Sequence, residues 1–368
     1  MDMNTFRKPA ATAFAALLLG GAALLNGLYV SRPAAPAETA AAAPAPRTDS
    51  LTLLFTGDWM QHTPQIAAAR TPEGFDYEPS YRYVANRLRQ ADLAVVNLET
   101  TLTRSGRYTG YPCFRSPAAL ADALKACGVD VALLANNHCC DGGAEGIRTT
   151  VEELERRGIR HTGAFADTAD WQRNRILYLE RRGIRLAIVN YTYGTNGLPV
   201  PRGQVVHLID TLRMAEDLRS IPRGETDCII VCLHWGNEYE RKPSPAQRTL
   251  ARFLQRHGVD LIVGSHPHVL QPYEADSARV VLYSLGNFVS NQQKRYCDGG
   301  LMARIRIVRR DTLPCRFSTE AIPVWVLCPG YRIVPPEVGD TLQMPAALRR
   351  RYEEFLQDTR QLIGQTAE

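Results

Sequence analysis

No cysteine precedes Cys113 in this 368-residue chain, so no lipid-modified cysteine is expected at the start of a mature protein. No charge falls between about residues 11 and 30, while Arg7 and Lys8 stand just before that stretch. About 20 uncharged residues behind a basic flank suffice to cross a bilayer, with the basic side in the cytoplasm. The expectation is a signal anchor or signal peptide over residues 1–32, with Ala35-Pro36-Ala37 as a small-residue cleavage site in the second case. The remainder is then expected outside the cytoplasm, attached to the cytoplasmic membrane, or free in the periplasm if the segment is cleaved. The chain also lacks internal repeats. Low complexity is confined to an Ala/Pro-rich stretch, part of a linker at residues 33–49 that reads as flexible and partly extended.

A concentrated basic patch is missing too. The formal net charge is +5, and the arginines behind it are spread along predicted helices such as residues 152–157 and 348–352. Scattered arginine is a solvated face, which argues against nucleic acid as a partner. With 45% hydrophobic residues the chain can bury a large core. Its nine cysteines are an odd number, so at least one is free or paired between chains. Some pairing is expected in an oxidising compartment, without a legible connectivity. Cys228 and Cys232 lie in an apolar run and read as core.

Short apolar runs alternate with amphipathic stretches from about residue 50, the pattern of an α/β fold. Helices are predicted over residues 79–89, 116–126, 145–157, 211–220, 244–257 and 345–363. Ser116-Pro117 and Ser244-Pro245 serve as N-cap and first-turn signals, and Gly128 and Gly258 as stops. Additional strands are predicted over 185–191, 280–283 and 301–308. One large domain is assigned to 50–310, with 311–368 as a C-terminal extension packed on it.

Metal-grade side chains follow the apolar runs. Asp58 comes after Leu51-Thr52-Leu53-Leu54-Phe55, with Gly57 allowing a sharp turn, and Glu99 after Ala94-Val95-Val96. Asn137 comes after Val131-Ala132-Leu133-Leu134-Ala135, His234 after Ile229 to Leu233, and His266 and His268 after Leu261-Ile262-Val263. In an α/β sheet, ligands gather at the carboxyl ends of strands, so these six are expected to converge on one metal centre. Glu99 can bridge two metals, orient the ligands of one, or simply close a loop by capping amides; Asn97 shares its face by strand alternation. Asn137 supplies a neutral amide oxygen, and the adjacent His138 can protonate a leaving group. Asn136 stands beside this pair. Asp141 either orients His138 or caps the following helix. His266 and His268 point to one centre if the backbone is extended, and Glu238 is available in the loop after His234. Asn287, in Ser284-Leu285-Gly286-Asn287-Phe288, reads as a hydrogen-bonding group behind the ligands or toward substrate, or as part of a polar turn. A zinc-thiolate role for Cys139 and Cys140 is the alternative to this oxygen and imidazole set. Lone histidines are commonly core or surface residues, and that reading is given to His62, His161, His207 and His257.

Taken in order, Gly57-Asp58, Asn97-Leu98-Glu99, Asn136-Asn137-His138 with Asp141, His234-Trp235-Gly236 with Glu238, Ser265-His266-Pro267-His268 and Ser284 to Phe288 resemble the CapA family of poly-gamma-glutamate capsule biosynthesis proteins. The resemblance runs from about residue 51 to 308. It implies a calcineurin-like metallophosphoesterase architecture, a sandwich of two β-sheets flanked by helices. It also implies a membrane-attached protein that serves an anionic polymer or a phosphorylated substrate beside membrane polymer-synthesis partners. Mapped residue by residue, Asp58, Glu99 and His268 would hold one metal, and Glu99, Asn137, His234 and His266 the other, with His138 catalytic. The metallophosphoesterase pattern usually has a histidine two residues after the first aspartate, where this chain has Met60. One or two divalent ions of unequal affinity are therefore expected, with manganese, iron or zinc suited to oxygen and imidazole ligands.

Overall fold

A computed structural model describes residues 47–364. The Thr48–Trp59 strand is the spine of the larger sheet, because its apolar residues face two cores. Leu51, Leu53 and Phe55 point into the space between two sheets, whereas Leu54 and Trp59 point to the helices outside. A strand buried on both faces reads as a continuous apolar run rather than an alternation, which is why the sequence shows one here. Leu93–Leu98, Val131–Leu133 and Arg160–Thr162 follow in parallel on one side. On the other side Gly299–Arg310, Arg316–Leu327 and Arg332–Val334 continue antiparallel. Asn287–Val289 pairs in parallel with the carboxyl end of Thr48–Trp59.

The second sheet runs in the order Leu177–Arg181, Ile184–Thr192, Cys228–His234, Leu261–Ser265, Val280–Leu282 and Tyr273–Ala275. Its four central strands are parallel. Leu186, Ile188, Ile230, Cys232 and Val263 face the first sheet across the shared core, and Cys228 and Cys232 lie in it as expected. The helices Thr211–Ser220 and Pro245–Arg256 cover the outer face through Met214, Leu218, Ala251 and Leu254. Ser244 caps the second of these, its hydroxyl accepting from Gln247 N at 3.2 Å. This mixed α/β architecture of two sheets flanked by helices is the one the sequence led us to expect.

Several expectations need correction. The region 79–89 forms two short helices, Glu78–Tyr81 and Ala85–Gln90. Ser116-Pro117 belongs to a short strand, Arg115–Pro117, and the helix begins later, at Leu120–Cys127, ending on left-handed Gly128. A boundary at residue 310 cuts a hairpin, since Arg316–Leu327 pairs with Gly299–Arg310 along ten residue pairs. The tail is thus part of the main sheet, closed by the Ala346–Gly364 helix. All nine cysteines are unpaired. The expected signal segment and linker lie outside the described residues apart from the last residues of the latter. Among the described residues no helix is long and apolar enough to cross a membrane.

Candidate metal centre

The parallel strands of both sheets end on the same side, and their carboxyl ends carry the six residues together. Asp58 sits in register with Asn97, and His234 with Ser265, one residue before His266. Gly57 is not a turn. A Cβ there would lie 2.0 Å from Gly286 O, so glycine is needed for the close approach that lets Asp58 N donate to Gly286 O at 2.9 Å. His266 and His268 are not extended either. Their φ angles are 101° and 58°, a left-handed backbone that non-glycine residues adopt at a cost and that clusters at functional sites. The strained Ser265-to-His268 turn replaces strand geometry in aiming both imidazoles at the centre. Tyr239 N donates to Pro267 O at 2.8 Å and fixes this turn to the loop after His234.

The side chains approach one another in two overlapping groups. His268 Nδ1 is 3.0 Å from Asp58 Oδ2, and its Nε2 is 3.7 Å from Glu99 Oε1. His234 Nε2 lies 2.9 Å from Asn137 Oδ1 and 3.6 Å from Glu99 Oε1. Ligand atoms of Asp58, Glu99 and His234 lie within 4.8 Å of one another, and so do those of Glu238, His266 and His268. Glu238 is exposed, so it stands at the rim rather than in the buried set. Asn97 Nδ2 donates to Asp58 Oδ1 at 2.9 Å, a supporting role. Asn136 is structural: its side chain donates to Leu98 O and accepts from His138 N.

His138 and Asp141 form a tight pair. Nδ1 of His138 is 2.7 Å from Asp141 Oδ2, and the same oxygen accepts from Phe114 N at 2.6 Å. Arg115 binds the Asp141 carbonyl oxygen through Nε and Nη2 at 3.2 and 3.1 Å. Of the two readings of Asp141, the geometry favours the orienting one. Nδ1–H donates to the carboxylate, which leaves Nε2 as the nitrogen for proton exchange.

Glu99, Asp58, Asn137 and the three imidazoles are all buried. Burial first, and then the neighbouring Asp58 carboxylate, push the Glu99 carboxyl far up from its usual range. Burial, then His266 and His268, push His234 far down, and burial with His268 brings His266 down to about 3. Neutral imidazoles keep free lone pairs, the form that ligates metal. Glu99 Oε1 and His266 Nδ1 are buried without a hydrogen-bond partner. Buried polar atoms are nearly always partnered, and an oxygen and a nitrogen acceptor left open within one cluster of ligand-type side chains fit a cation. The residues present therefore suit a divalent ion.

Cys139 and Cys140 pack in the apolar core with Leu98, Leu134 and Ile147, away from this cluster, so the thiolate alternative fails. Sequence reasoning missed Phe114, Arg115, Asn196, which accepts from Asn137 Nδ2 at 3.2 Å, and Tyr193, whose ring centre lies 4.5 Å from that of His266. Tyr193 follows the carboxyl end of Ile184–Thr192 and was the strand-end signal passed over, whereas Phe114, Arg115 and Asn196 follow no apolar run. His62, read as an ordinary histidine, borders the site: its ring is 5.0 Å from Phe114, which is 4.5 Å from His138.

The model of the bacterial capsule synthesis protein PGA_cap matches residues 52–292 of this chain, the span that holds every residue named in the site. The chain belongs to the PGA_cap family. The Bacillus anthracis capsule biosynthesis protein CapA is 31% identical over 256 residues, 66% of this chain and 61% of that protein. The Bacillus subtilis PGA biosynthesis protein CapA is 29% identical over 248 residues, 66% of this chain and 64% of that protein. This PGA_cap protein thus spans less than two thirds of the length of those relatives. Among solved structures, Haemophilus influenzae NAD nucleotidase NadN is similar with a TM-score of 0.47 and 13% identity, over 85% of this chain and 63% of that one. A putative 5'-nucleotidase from Staphylococcus aureus gives 0.46 and 13%, over 84% and 58%. Likeness at that level is one of outline, and the metal centre rests on its own geometry.

Proposed function

We propose that this chain is a divalent-metal-dependent hydrolase or transferase of capsule polymer assembly, acting outside the cytoplasm on a phosphorylated or γ-glutamyl substrate. The observation that carries the reading is a buried cation-ready cluster with the His138–Asp141 pair beside it, 2.7 Å from ring nitrogen to carboxylate. Asp58, Glu99 and His268 would hold one ion, and Glu99, Asn137, His234 and His266 another. Manganese, iron or zinc bound there supplies Lewis acidity and a nucleophile at neutral pH. The protein's own part is positioning and proton transfer. Asp141 and Phe114 N lock the His138 ring, and Nε2 of His138 gives its proton to the departing oxygen or nitrogen. Half-exposed Tyr193 and Tyr239 stand over His266 and His268, and Lys294 lies 4.7 Å above the Tyr239 ring, which suits an anionic substrate at the mouth. The names of the CapA relatives support capsule polymer synthesis and partners within that machinery. The uncharged stretch at residues 11–30 supports attachment to the cytoplasmic membrane.

Full chain supplied with manganese should hydrolyse at least one member of a panel of phosphomonoesters, phosphodiesters and γ-glutamyl peptides, and His138→Ala should lower that turnover by about 10²–10⁴-fold. No turnover across the panel with metal bound would refute the enzymatic reading. Met60 favours a second one, in which the metal only shapes a polymer-binding surface. In that case a His138→Ala strain still makes capsule.

A further inference from the structure

Asn287 extends the metal centre beyond its six residues. It opens the Asn287–Val289 strand and stands in register with Asp58, and Asn97 stands in register with Asp58 on the opposite flank. Residues in register on adjoining strands project to the same face, so Asp58 is bracketed by two carboxamides on the face of the site. The two are used differently. Asn97 gives its nitrogen to Asp58, whereas Asn287 Nδ2 donates to Cys297 O at 2.8 Å and to Gln292 Oε1 at 2.9 Å. A backbone carbonyl only accepts, so the bond to Cys297 fixes which end of the Asn287 amide is nitrogen. The other end, Oδ1, belongs to a residue with no exposed surface and has no hydrogen-bond partner.

An open oxygen beside a buried carboxylate asks for a positive partner. The cation position on the Asp58 and His268 side is the one short of a ligand, because Asp58, Glu99 and His268 face it whereas Glu99, Asn137, His234 and His266 face the other. We infer that Asn287 Oδ1 is a metal ligand at that position and completes its ligand set. This rests on the metal-centre reading above. A neutral oxygen there makes the position harder than its neighbour, which keeps two imidazoles, so it prefers manganese to zinc.

The test is manganese titration of the metal-stripped full chain, followed by calorimetry and electron paramagnetic resonance. The wild type should bind two ions with an exchange-coupled spectrum. Asn287→Ala should hold the tight ion unchanged, weaken the second at least about 10-fold, and show an uncoupled spectrum. Gln292→Ala, which removes only a bond to the loop, should keep both ions and the coupling. If Asn287→Ala does not fold, Asn287→Asp decides, since it retains an oxygen ligand and should keep the coupled pair. Asn287→Ala with both ions bound as in the wild type overturns the inference, as does equal loss in Gln292→Ala or loss of the second ion in Asn287→Asp. A wild type with one ion, removed by His234→Ala, overturns it while leaving the metal centre standing. A wild type with no ion overturns both.

Discussion

Two buried histidine–carboxylate clusters in this protein look alike by distance and differ in what they leave open. In one, His161 Nε2 lies 3.1 and 3.2 Å from the two oxygens of Asp170. The same carboxylate accepts from Asn174 Nδ2 at 2.7 Å and Ala166 N at 2.9 Å. Burial pushes the Asp170 carboxyl up, but the bonds from His161, Asn174 and Ala166 outweigh it and hold it below its usual value. Glu155 brings a third ligand-type atom within 4.8 Å, yet nothing in that cluster asks for an ion. At the candidate centre the same kinds of residue meet at the same range, and Glu99 Oε1 and His266 Nδ1 are left without partners. Closeness of acids and imidazoles is thus a weak sign of metal, and unpartnered acceptors are the informative one.

The comparison can be broken most visibly by activity. His138→Ala should lower turnover by about 10²–10⁴-fold with bound metal unchanged, whereas His161→Ala should leave turnover per folded molecule intact. In stability the order reverses. His161→Ala strands the Asp170 carboxylate in the interior and should cost about 3 kcal/mol in urea unfolding. Manganese at 100 times its dissociation constant should stabilise the chain by about 2.7 kcal/mol, an increment kept in His161→Ala and lost in His234→Ala. Asp141→Asn leaves the His138 ring in place but weakens its orientation, and should lower turnover about 10-fold.

The smallest effect is on pH. His266 is pushed down to about 3 and His207 to about 4, both by burial first, so the unfolded chain binds their protons more readily than the fold does. Their contribution is complete above pH 6.5 and is lost as pH falls toward those values. Glu99, with its carboxyl raised, acts in the opposite direction and contributes less as pH rises above 4.5. The melting temperature of the metal-free chain should fall between pH 6.5 and 4. Replacing His207 with Gln should flatten that fall, and a flat profile in the parent chain would contradict the burial argument.

Much of this was legible because the central parallel strands of both sheets are covered on both faces. Apolar runs therefore marked the strands, and the first polar residues past each run marked the site. Asp58, Glu99, Asn137, His234, His266 and His268 were found that way. What escaped depends on backbone shape or distant contacts. The left-handed conformations of His266 and His268 carry no sequence signal, since neither is glycine or asparagine. Gly57 was read as a turn because its reason, the approach of Gly286, lies more than two hundred residues away. Phe114 acts through its backbone N–H, which no residue type reveals. The strand Arg316–Leu327 looked like an appendage because its pieces are half exposed, although it pairs along the main sheet.

Metal analysis of the purified full chain tests the central claim most directly. Manganese, iron or zinc should copurify with the wild type and with His161→Ala, and should be absent from His234→Ala. A wild type that holds no divalent ion after manganese is supplied, or a His161→Ala chain that folds yet loses its ion, would contradict the account.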